Sequence, residues 1–403
     1  MVPLRSDPPN LRHLAGVVAI ADIGSLSAAA DAISLSQPAL TQGVAKIEGD
    51  IGLPLFWRTS GGMRITEAGE TYVARVRRGL ALLDRSGWPA ERPRVWKALS
   101  HAQLTALVAA VDHLGFRAAA RQMGREVSTV SRSLRAAERR ANAPLFEMTS
   151  RGMRPTRLGE SLANAARLAL AEFQQARTDL ADWQGHFSGR LNVGCLPLAQ
   201  TAVLPRAIDA FSDAFPKVEI RVVDGAYQPL VRALLRGEID VLIGALREGA
   251  VPDGVEETLV LHDPLWVVAR SGHPLGARSD LCLADLAGHA WIAPRVGAPA
   301  RVHFDALVGR LDFGDEIAMP VEMGAPALLQ AMLRDSDRLT LISRMQVAEA
   351  VAMGHLCRIE VDLGPTGRAI GYTTRADWQP SMPQQRFLDI LNVEFEAMDR
   401  AMG

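Results

Sequence analysis

Near the start of the chain Leu14, Val17, Val18 and Ala21 recur three and four apart, which predicts an amphipathic helix ended by Gly24. Ser25 stands where an N-cap stands, and the alanine-rich stretch 26–33 predicts a second helix able to pack closely. The turn Ser34-Leu35-Ser36 leads to a third helix with Pro38 in its first turn, where a missing N–H costs little. In that helix Leu40, Val44 and Ile47 form the apolar stripe. Ser36, Gln37, Ala39, Thr41, Gln42 and Lys46 lie off the stripe or at the N-terminal end. Residues 57–66, with paired glycines at their centre, predict a β-hairpin.

The same pattern returns. Residues 14–70 align without a gap on residues 104–160 at an offset of 90, with 19 identities in 57 positions. Among them are Ala28-Ala29-Ala30 with Ala118-Ala119-Ala120, Pro54-Leu55-Phe56 with Pro144-Leu145-Phe146, and Gly62-Met63-Arg64 with Gly152-Met153-Arg154. Two copies at so long a spacing indicate a duplicated small domain, not a solenoid. Between the copies, 83–97 holds Gly87, Pro89 and Pro93 and predicts an irregular connection.

Beyond the second copy, 161–187 carries Leu162, Ala165, Ala166, Ala169, Phe173, Ala176, Leu180 and Trp183 at helical spacing. A long helix with one apolar stripe needs a partner helix. From Gly189 onward the pattern switches to alternating strands and helices. Strands are predicted at 190–195, 218–223, 239–243, 266–269, 291–292 and 339–342, and helices at 197–215, 230–236 and about 327–333. Such alternation implies a mostly parallel sheet.

Composition narrows the picture little until it is resolved along the chain. The 403 residues are 48% apolar and 22% charged with net charge −1, an ordinary globular balance. Residues 115–160, however, hold ten arginines against four acidic residues, which points to a polyanion-binding end or else to a solvated helical surface. Cys195, Cys282 and Cys357 are scattered, with no CxxC, so neither a zinc site, a disulfide framework nor a paired-thiol redox sensor is indicated. The polar, proline-rich residues 1–10 do not form a secretory signal, and no apolar run reaches membrane-spanning length, so a cytoplasmic location away from the membrane is expected. No nucleophile elbow, P-loop, dinucleotide fingerprint or metal-spaced His/Glu cluster occurs. An enzyme is therefore not expected, and neither a metal nor a cofactor is implied.

A helix that enters the major groove needs short hydrogen-bonding side chains near its N-terminus, and that terminus also favours a phosphate. Ser36, Gln37, Pro38, Ala39, Thr41, Gln42 and Lys46 fit this requirement, with Ser25 at the preceding helix start. Arg58 and Arg64 on the hairpin are placed to reach the backbone or minor groove. The alternative is a helical bundle with one polar surface helix. Residues 24–70 resemble the winged helix-turn-helix of LysR-type transcriptional regulators. The likeness rests on Ser25 with Ala28-Ala29-Ala30, Ser36-Gln37-Pro38-Ala39, Ile47-Glu48, Leu55-Phe56-Trp57-Arg58 and Thr66-Glu67-Ala68-Gly69. The second copy departs from that pattern: Glu126-Val127-Ser128-Thr129 replaces the Ser-Gln-Pro-Ala element and Met148 stands at the Arg58 position. It gains arginines at 117, 121, 125, 132, 135, 139 and 140. The copy either grips DNA through Arg125, Ser128, Thr129, Ser131, Arg132, Arg135 and Arg154, largely at phosphates, or acts as a spacer or protein-interaction module.

The rear half resembles the family's two-lobed effector-binding region, similar to periplasmic solute-binding proteins, through the stretches 204–225 and 234–244. The implied fold is α+β and multidomain: two all-α winged helix-turn-helix domains, a linker helix, and a two-lobed α/β effector domain. The expected divisions are 1–86, a linker at 87–98, 99–160, a dimerisation helix at 161–188 and the effector domain at 189–403. In α/β lobes ligands bind beyond the carboxyl ends of strands. That selects Leu196, Pro197, Leu198, Ala199, Gln200 and Thr201, then Ala226 and Tyr227, then Ala245 and Leu246, and from the other lobe Arg295 and Val296 and the turn Gly324-Ala325. Arg295 and the N–H groups near Thr201 suit an organic acid or sugar derivative. The resemblance implies double-stranded operator DNA as partner, a homodimer or homotetramer, and effector binding that alters DNA bend and RNA polymerase recruitment.

Overall fold

The computed structural model describes residues 10–86, 95–150, 152–183, 185, 187, 189–201, 203–247, 249, 251–311 and 319–402. The chain divides into two compact units, Met1–Ser188 and Gly189–Gly403.

The front unit holds two copies of one design. The first comprises α1 (Leu11–Ile23), α2 (Leu26–Ala32), α3 (Gln37–Ile51), the hairpin β1 (Phe56–Thr59) and β2 (Gly62–Ile65), and α4 (Glu67–Asp84). The second comprises α5 (His101–Asp112), α6 (Phe116–Gln122), α7 (Val127–Ala141), the hairpin β3 (Phe146–Thr149) and β4 (Gly152–Pro155), and α8 (Arg157–Trp183). Side-chain oxygens of Asn10, Ser25, Ser36 and Thr66 cap α1 to α4, and Gly24 ends α1 in the left-handed conformation at φ 73. The repeat extends to hydrogen bonds. Glu48 Oε1 accepts from the Leu55 and Phe56 N–H groups at 2.7 and 3.2 Å, and Glu138 Oε1 does the same for Leu145 and Phe146 at 2.9 and 3.2 Å. Each hairpin is thereby tied to the C-terminal part of the helix that precedes it.

Of the expected connection between the copies, 87–94 lies outside the described residues. Val95–Ala98 forms a 3₁₀ turn whose buried Trp96 donates to Asp84 Oδ1 at 2.6 Å. One apolar core runs through both copies, from Leu11 to Leu180. Its spine is α4 against α8. Arg75 meets Asp179, Gly79 meets Phe173 and the Ser161 hydroxyl meets the Ser86 carbonyl, so the helices run antiparallel. The stripe expected on 161–187 is buried from Leu162 to Leu180, with Trp183 left 53% exposed. The partner that covers it is α4 of the same chain.

The rear unit begins with β5 (Gly189–Cys195), α9 (Val203–Ala214), β6 (Val218–Asp224), α10 (Tyr227–Leu235), β7 (Val241–Ala245) and β8 (Val255–Asp263). It continues with β9 (Leu265–Arg270), β10 (Trp291–Pro294), α11 (Pro299–Val308), β11 (Val321–Met323), α12 (Pro326–Arg334), β12 (Leu339–Ser343), α13 (Arg344–Ala352) and β13 (Leu356–Ile359). It closes with β14 (Arg368–Arg375) and α14 (Met382–Met402). Two five-stranded sheets result, β6-β5-β7-β14-β8 and β11-β10-β12-β9-β13, one per lobe. In each sheet four strands run one way, as the alternation implied, and one is reversed: β14 runs antiparallel to β7 and β8, and β9 antiparallel to β12 and β13. The cause is the path of the chain. It leaves the first lobe after β8 and returns at β14, so strands entering from the crossings lie against the βαβ direction. The expected helix at 197–215 is split into a 3₁₀ turn, Pro197–Gln200, and α9.

Candidate nucleic-acid interface and effector cleft

The first copy presents α3 much as its sequence suggested. Leu40, Gly43, Val44 and Ile47 face the core, while Ser36, Gln37, Pro38, Gln42 and Lys46 are exposed and Ala39 and Thr41 half-buried. Gly43 is required by packing: a Cβ there would sit 2.5 Å from the His13 ring. Not every small polar group is free for a ligand. The Ser36 hydroxyl accepts from the Ala39 N–H at 3.4 Å, the Ser25 hydroxyl from the Ala28 N–H at 3.4 Å, and the Thr41 hydroxyl donates to the Gln37 carbonyl at 2.9 Å. Gln37 and Gln42 therefore carry the most available side-chain donors and acceptors on this end. Arg58 and Arg64 are both exposed, but cross-strand pairing sets Arg58 opposite Met63 and Arg64 opposite Trp57, on opposite faces of the hairpin.

In the second copy Val130, Leu134, Ala137 and Ala141 face inward from α7. Arg125, Ser128, Thr129, Arg132, Arg135 and Arg154 are exposed and Ser131 is half-buried. Arg132 Nε donates back to the Ser128 carbonyl at 3.4 Å. Arg140 is structural: its Nη1 donates to the Ala98 carbonyl at 2.8 Å and to Gln103 Oε1 at 3.1 Å.

Between the lobes of the rear unit lies a cleft of about 540 Å³. It opens at the carboxyl ends of β5, β6, β7, β10, β11 and β12, and at the start of the antiparallel β14. Leu196, Pro197, Leu198, Ala226, Tyr227, Ala245, Arg295, Val296, Gly324 and Ala325 line it. Ala199, Gln200 and Thr201 do not, and neither does Leu246. The 3₁₀ turn carries Ala199 into the lobe at 1% exposure, and Thr201 follows with its hydroxyl buried and without a hydrogen-bond partner.

Two cleft arginines were not found in the sequence. Arg247, just past β7, stacks its guanidinium 4.2 Å from the Tyr227 ring centre. Burial pushes its pKa down, and burial pushes the neighbouring Glu257 carboxyl up. Arg368 opens β14, a strand whose alternating residues were not recognised. It is 5% exposed, donates from Nη2 to Asp263 Oδ2 at 3.3 Å, and has a buried Nε without a hydrogen-bond partner among the described residues. Asp263 is fully buried and also accepts from the Ser343 hydroxyl and the Met345 N–H. Burial pushes the Asp263 carboxyl up, against the pull of these partners.

The helix starts around the cleft share an unusual trait. The residues at the N-cap positions of Pro197–Gln200, α10, α11 and α12 are Leu196, Ala226, Ala298 and Ala325, and none gives a side-chain cap. All four line the cleft. Three α-helix N-termini and the 3₁₀ turn thus border it with first-turn N–H groups that no side chain caps, less those removed by Pro197, Pro299 and Pro326 and those of Ala199 and Arg301, which donate to the Leu196 and Ala298 carbonyls. Cys195, on β5 behind this site, is fully buried and its thiol is pushed up to about 12 by burial, which removes its thiolate character. Among the described residues no cluster of three or more His, Cys, Asp or Glu could hold a metal ion, and no helix is long and apolar enough to cross a membrane.

Residues 11–70 and 101–160 each match the bacterial regulatory helix-turn-helix family of lysR type, and 184–395 match the LysR substrate binding domain. The chain belongs to the LysR family of transcriptional regulators. It is a DNA-binding regulator with a substrate-binding effector domain, and the matched families are regulators, not enzymes. The HTH-type transcriptional regulator GalR of Pseudomonas putida is 31% identical over 373 residues, 91% of this chain and 93% of its own length. Because fewer residues are left out than one helix-turn-helix match contains, that alignment reaches into both copies. The HTH-type transcriptional regulator PcaQ of Agrobacterium fabrum is 27% identical over 63% of this chain and 81% of its own. In fold, this LysR-family chain is similar to a full-length cysteine variant of OxyR from Pseudomonas aeruginosa, with TM-score 0.56 and 17% identity over 74% of this chain and 95% of that one.

Proposed function

We propose that this regulator senses a small organic anion in the interlobe cleft and answers by changing how its front unit engages operator DNA. The observation that carries the ligand class is the charge of the lining. Arg247, Arg295 and Arg368 face the cleft together with four uncapped helix starts, and the lining includes no Asp or Glu among the described residues. Guanidinium groups and helix N-termini both bind carboxylate or phosphate oxygens strongly, the more so in a partly desolvated pocket. The apolar remainder, including Leu196, Val296, Met323 and Leu329, suits a carbon skeleton. A neutral sugar would give Arg247 and Arg295 no anionic partner, whereas Arg368 already pairs with Asp263.

In this reading Gln37, Gln42 and Lys46 on α3 approach base edges, and Arg125, Arg132 and Arg135 on α7 hold phosphates. Such a regulator works in the cytoplasm, where its DNA is, and as a homo-oligomer that brings several front units to one promoter. The ligand class is tested by calorimetry with pairs of small molecules differing only in carboxylate against amide. Binding of the acid with rejection of the amide supports the proposal, and equal binding of the two removes it.

A further inference from the structure

The front unit contains two heads, and its long helices decide how those heads are paired. We infer that one chain is a self-contained two-headed reader, recognising a bipartite, non-palindromic DNA element: one half is read at base edges by α3, and the other is held mainly at phosphates by α7. This rests on the DNA-binding reading of α3 and α7 above.

Each head is fixed to its own long helix in the same way. Asp22 on α1 pairs with Arg77 on α4, and ninety residues later Asp112 on α5 pairs with Arg167 on α8. Two equivalent heads on two antiparallel helices are related as the halves of a twofold dimer are, but within a single chain. A duplex carries matching local dyads, so such a pair addresses two successive segments of the same DNA.

The ion pairs across the helices specify this internal pairing over a homotypic one. Arg75 on α4 donates to Asp179 at 2.7 Å and to Glu172 at 3.4 Å, and Arg78 donates to Glu172 at 2.8 Å. All three contacts run from base on α4 to acid on α8. Ninety residues back from Glu172 lies Leu82, and ninety on from Arg75 lies Ala165. Two α4 helices paired in this register would set Arg75 against Leu82, and two α8 helices would set Glu172 against Ala165. With Arg75 only 7% exposed, either arrangement places a desolvated charge against an apolar side chain.

The heads held together in this way are chemically unlike. Where α3 begins Ser36-Gln37-Pro38-Ala39, α7 is preceded and begun by Glu126-Val127-Ser128-Thr129, and Arg132 replaces Gln42 while Ala136 replaces Lys46. A palindromic element would offer the same base edges to two different surfaces. An element matched to this pair instead has one sharply specified half and one degenerate half.

The test is selection of bound duplexes from a random pool by the full-length chain, with stoichiometry on the selected duplex by native mass spectrometry. The expected result is an asymmetric motif in which one chain's front unit occupies each element, the further chains of an oligomer each taking a further element. Grafting Glu126→Ser, Val127→Gln, Ser128→Pro, Thr129→Ala and Arg132→Gln together should turn the degenerate half into an inverted copy of the specified half. Gln37→Ala alone, a mild exposed change, should blur only the specified half. A palindromic motif, one element shared by the front units of two chains, or blurring of both halves by Gln37→Ala overturns the inference and leaves DNA reading intact. Failure to enrich any duplex at low salt overturns the DNA-contact reading, and this inference falls with it.

Discussion

Arg368 and Asp263 face each other on the first paired rung of β14 and β8, at the point where the chain re-enters its first lobe. The carboxylate is fully buried and the guanidinium nearly so, which makes the pair costly to break from one side. Arg368→Met should destabilise the rear unit by up to roughly 3–5 kcal/mol, because it leaves the buried carboxylate with the more distant Arg344, 3.7 Å away, as its cation. Adding Asp263→Leu should return part of that loss, since the stranded carboxylate goes, although the Ser343 hydroxyl and the Met345 N–H lose their acceptor. Urea unfolding of the two single variants and the double variant completes the cycle. A double variant as unstable as the sum of the singles would show that the two residues do not act as a pair.

The second cleft arginine is separable from that framework. Arg247 stacks on Tyr227 and forms no ion pair within 4.0 Å among the described residues, so its removal should touch binding before folding. Arg247→Gln should weaken a carboxylate ligand by roughly 10- to 100-fold, the worth of one charge-assisted hydrogen bond. Tyr227→Phe keeps the ring beneath the guanidinium and should change affinity little. Calorimetry on both variants distinguishes this from an arginine that only props the cleft open, for which ligand charge would cease to matter.

On the front unit, Gln37→Ala should relax base preference by about 1–3 kcal/mol per contacted base pair. Thr41→Ala should do less, because its hydroxyl already donates to the Gln37 carbonyl. Arg132→Ala with Arg135→Ala should reduce the slope of log affinity against log salt by about 1.8, two phosphate contacts' worth. An unchanged slope would make the second head a spacer.

The duplication, the third helix and the hairpin were legible because each rests on local rules: Ser25 and Ser36 as caps, Gly24 as a stop, Leu40, Val44 and Ile47 as a stripe. The pairing of α4 with α8 was not. The stripe on α8 announces that a partner exists, but Leu162 and Phe173 are apolar whether the partner is another chain or the same one. Only long-range contacts such as Arg75 with Asp179 decide it. The cleft showed the same division. Leu196, Ala226 and Ala245 follow from strand ends in βαβ order, whereas Arg368 enters from a strand that joins the sheet after a full excursion through the other lobe. Alternation within 368–375 marks a strand but does not say which sheet receives it.

Acidification should weaken the rear unit through His273. This side chain is 1% exposed, accepts the Leu275 N–H through Nδ1 at 3.2 Å, and lies 4.9 Å from the His289 ring. Burial first, and His289 second, hold its pKa below the ordinary imidazole value of 6.5. As pH falls through about 6.5 the unfolded chain takes up the proton before the folded protein does. Stability is therefore full above that pH and is lost as pH falls toward the folded value. His273→Asn keeps an acceptor for Leu275 and removes the titration, so thermal melts between about pH 7.5 and 5 should fall less steeply for the variant. Parallel curves for the two proteins would assign the acid sensitivity elsewhere.

The packing of α4 on α8 at Gly79 depends on a missing side chain. A Cβ on Gly79 would lie 2.4 Å from Phe173 Cε1 and within 3.0 Å of two more ring atoms. Phe173 is itself 3% exposed, so the ring has little space to retreat into. Gly79→Ala should thus destabilise the front unit by about 1–3 kcal/mol despite the better helix propensity of alanine. Phe173→Leu alone should also destabilise, by opening a gap. Combined, the two changes should cost less than their sum, because the smaller side chain at 173 makes room for the added methyl group. Such compensation, measured in denaturant, would locate the strain at this one crossing; strict additivity would place it elsewhere along the helix pair.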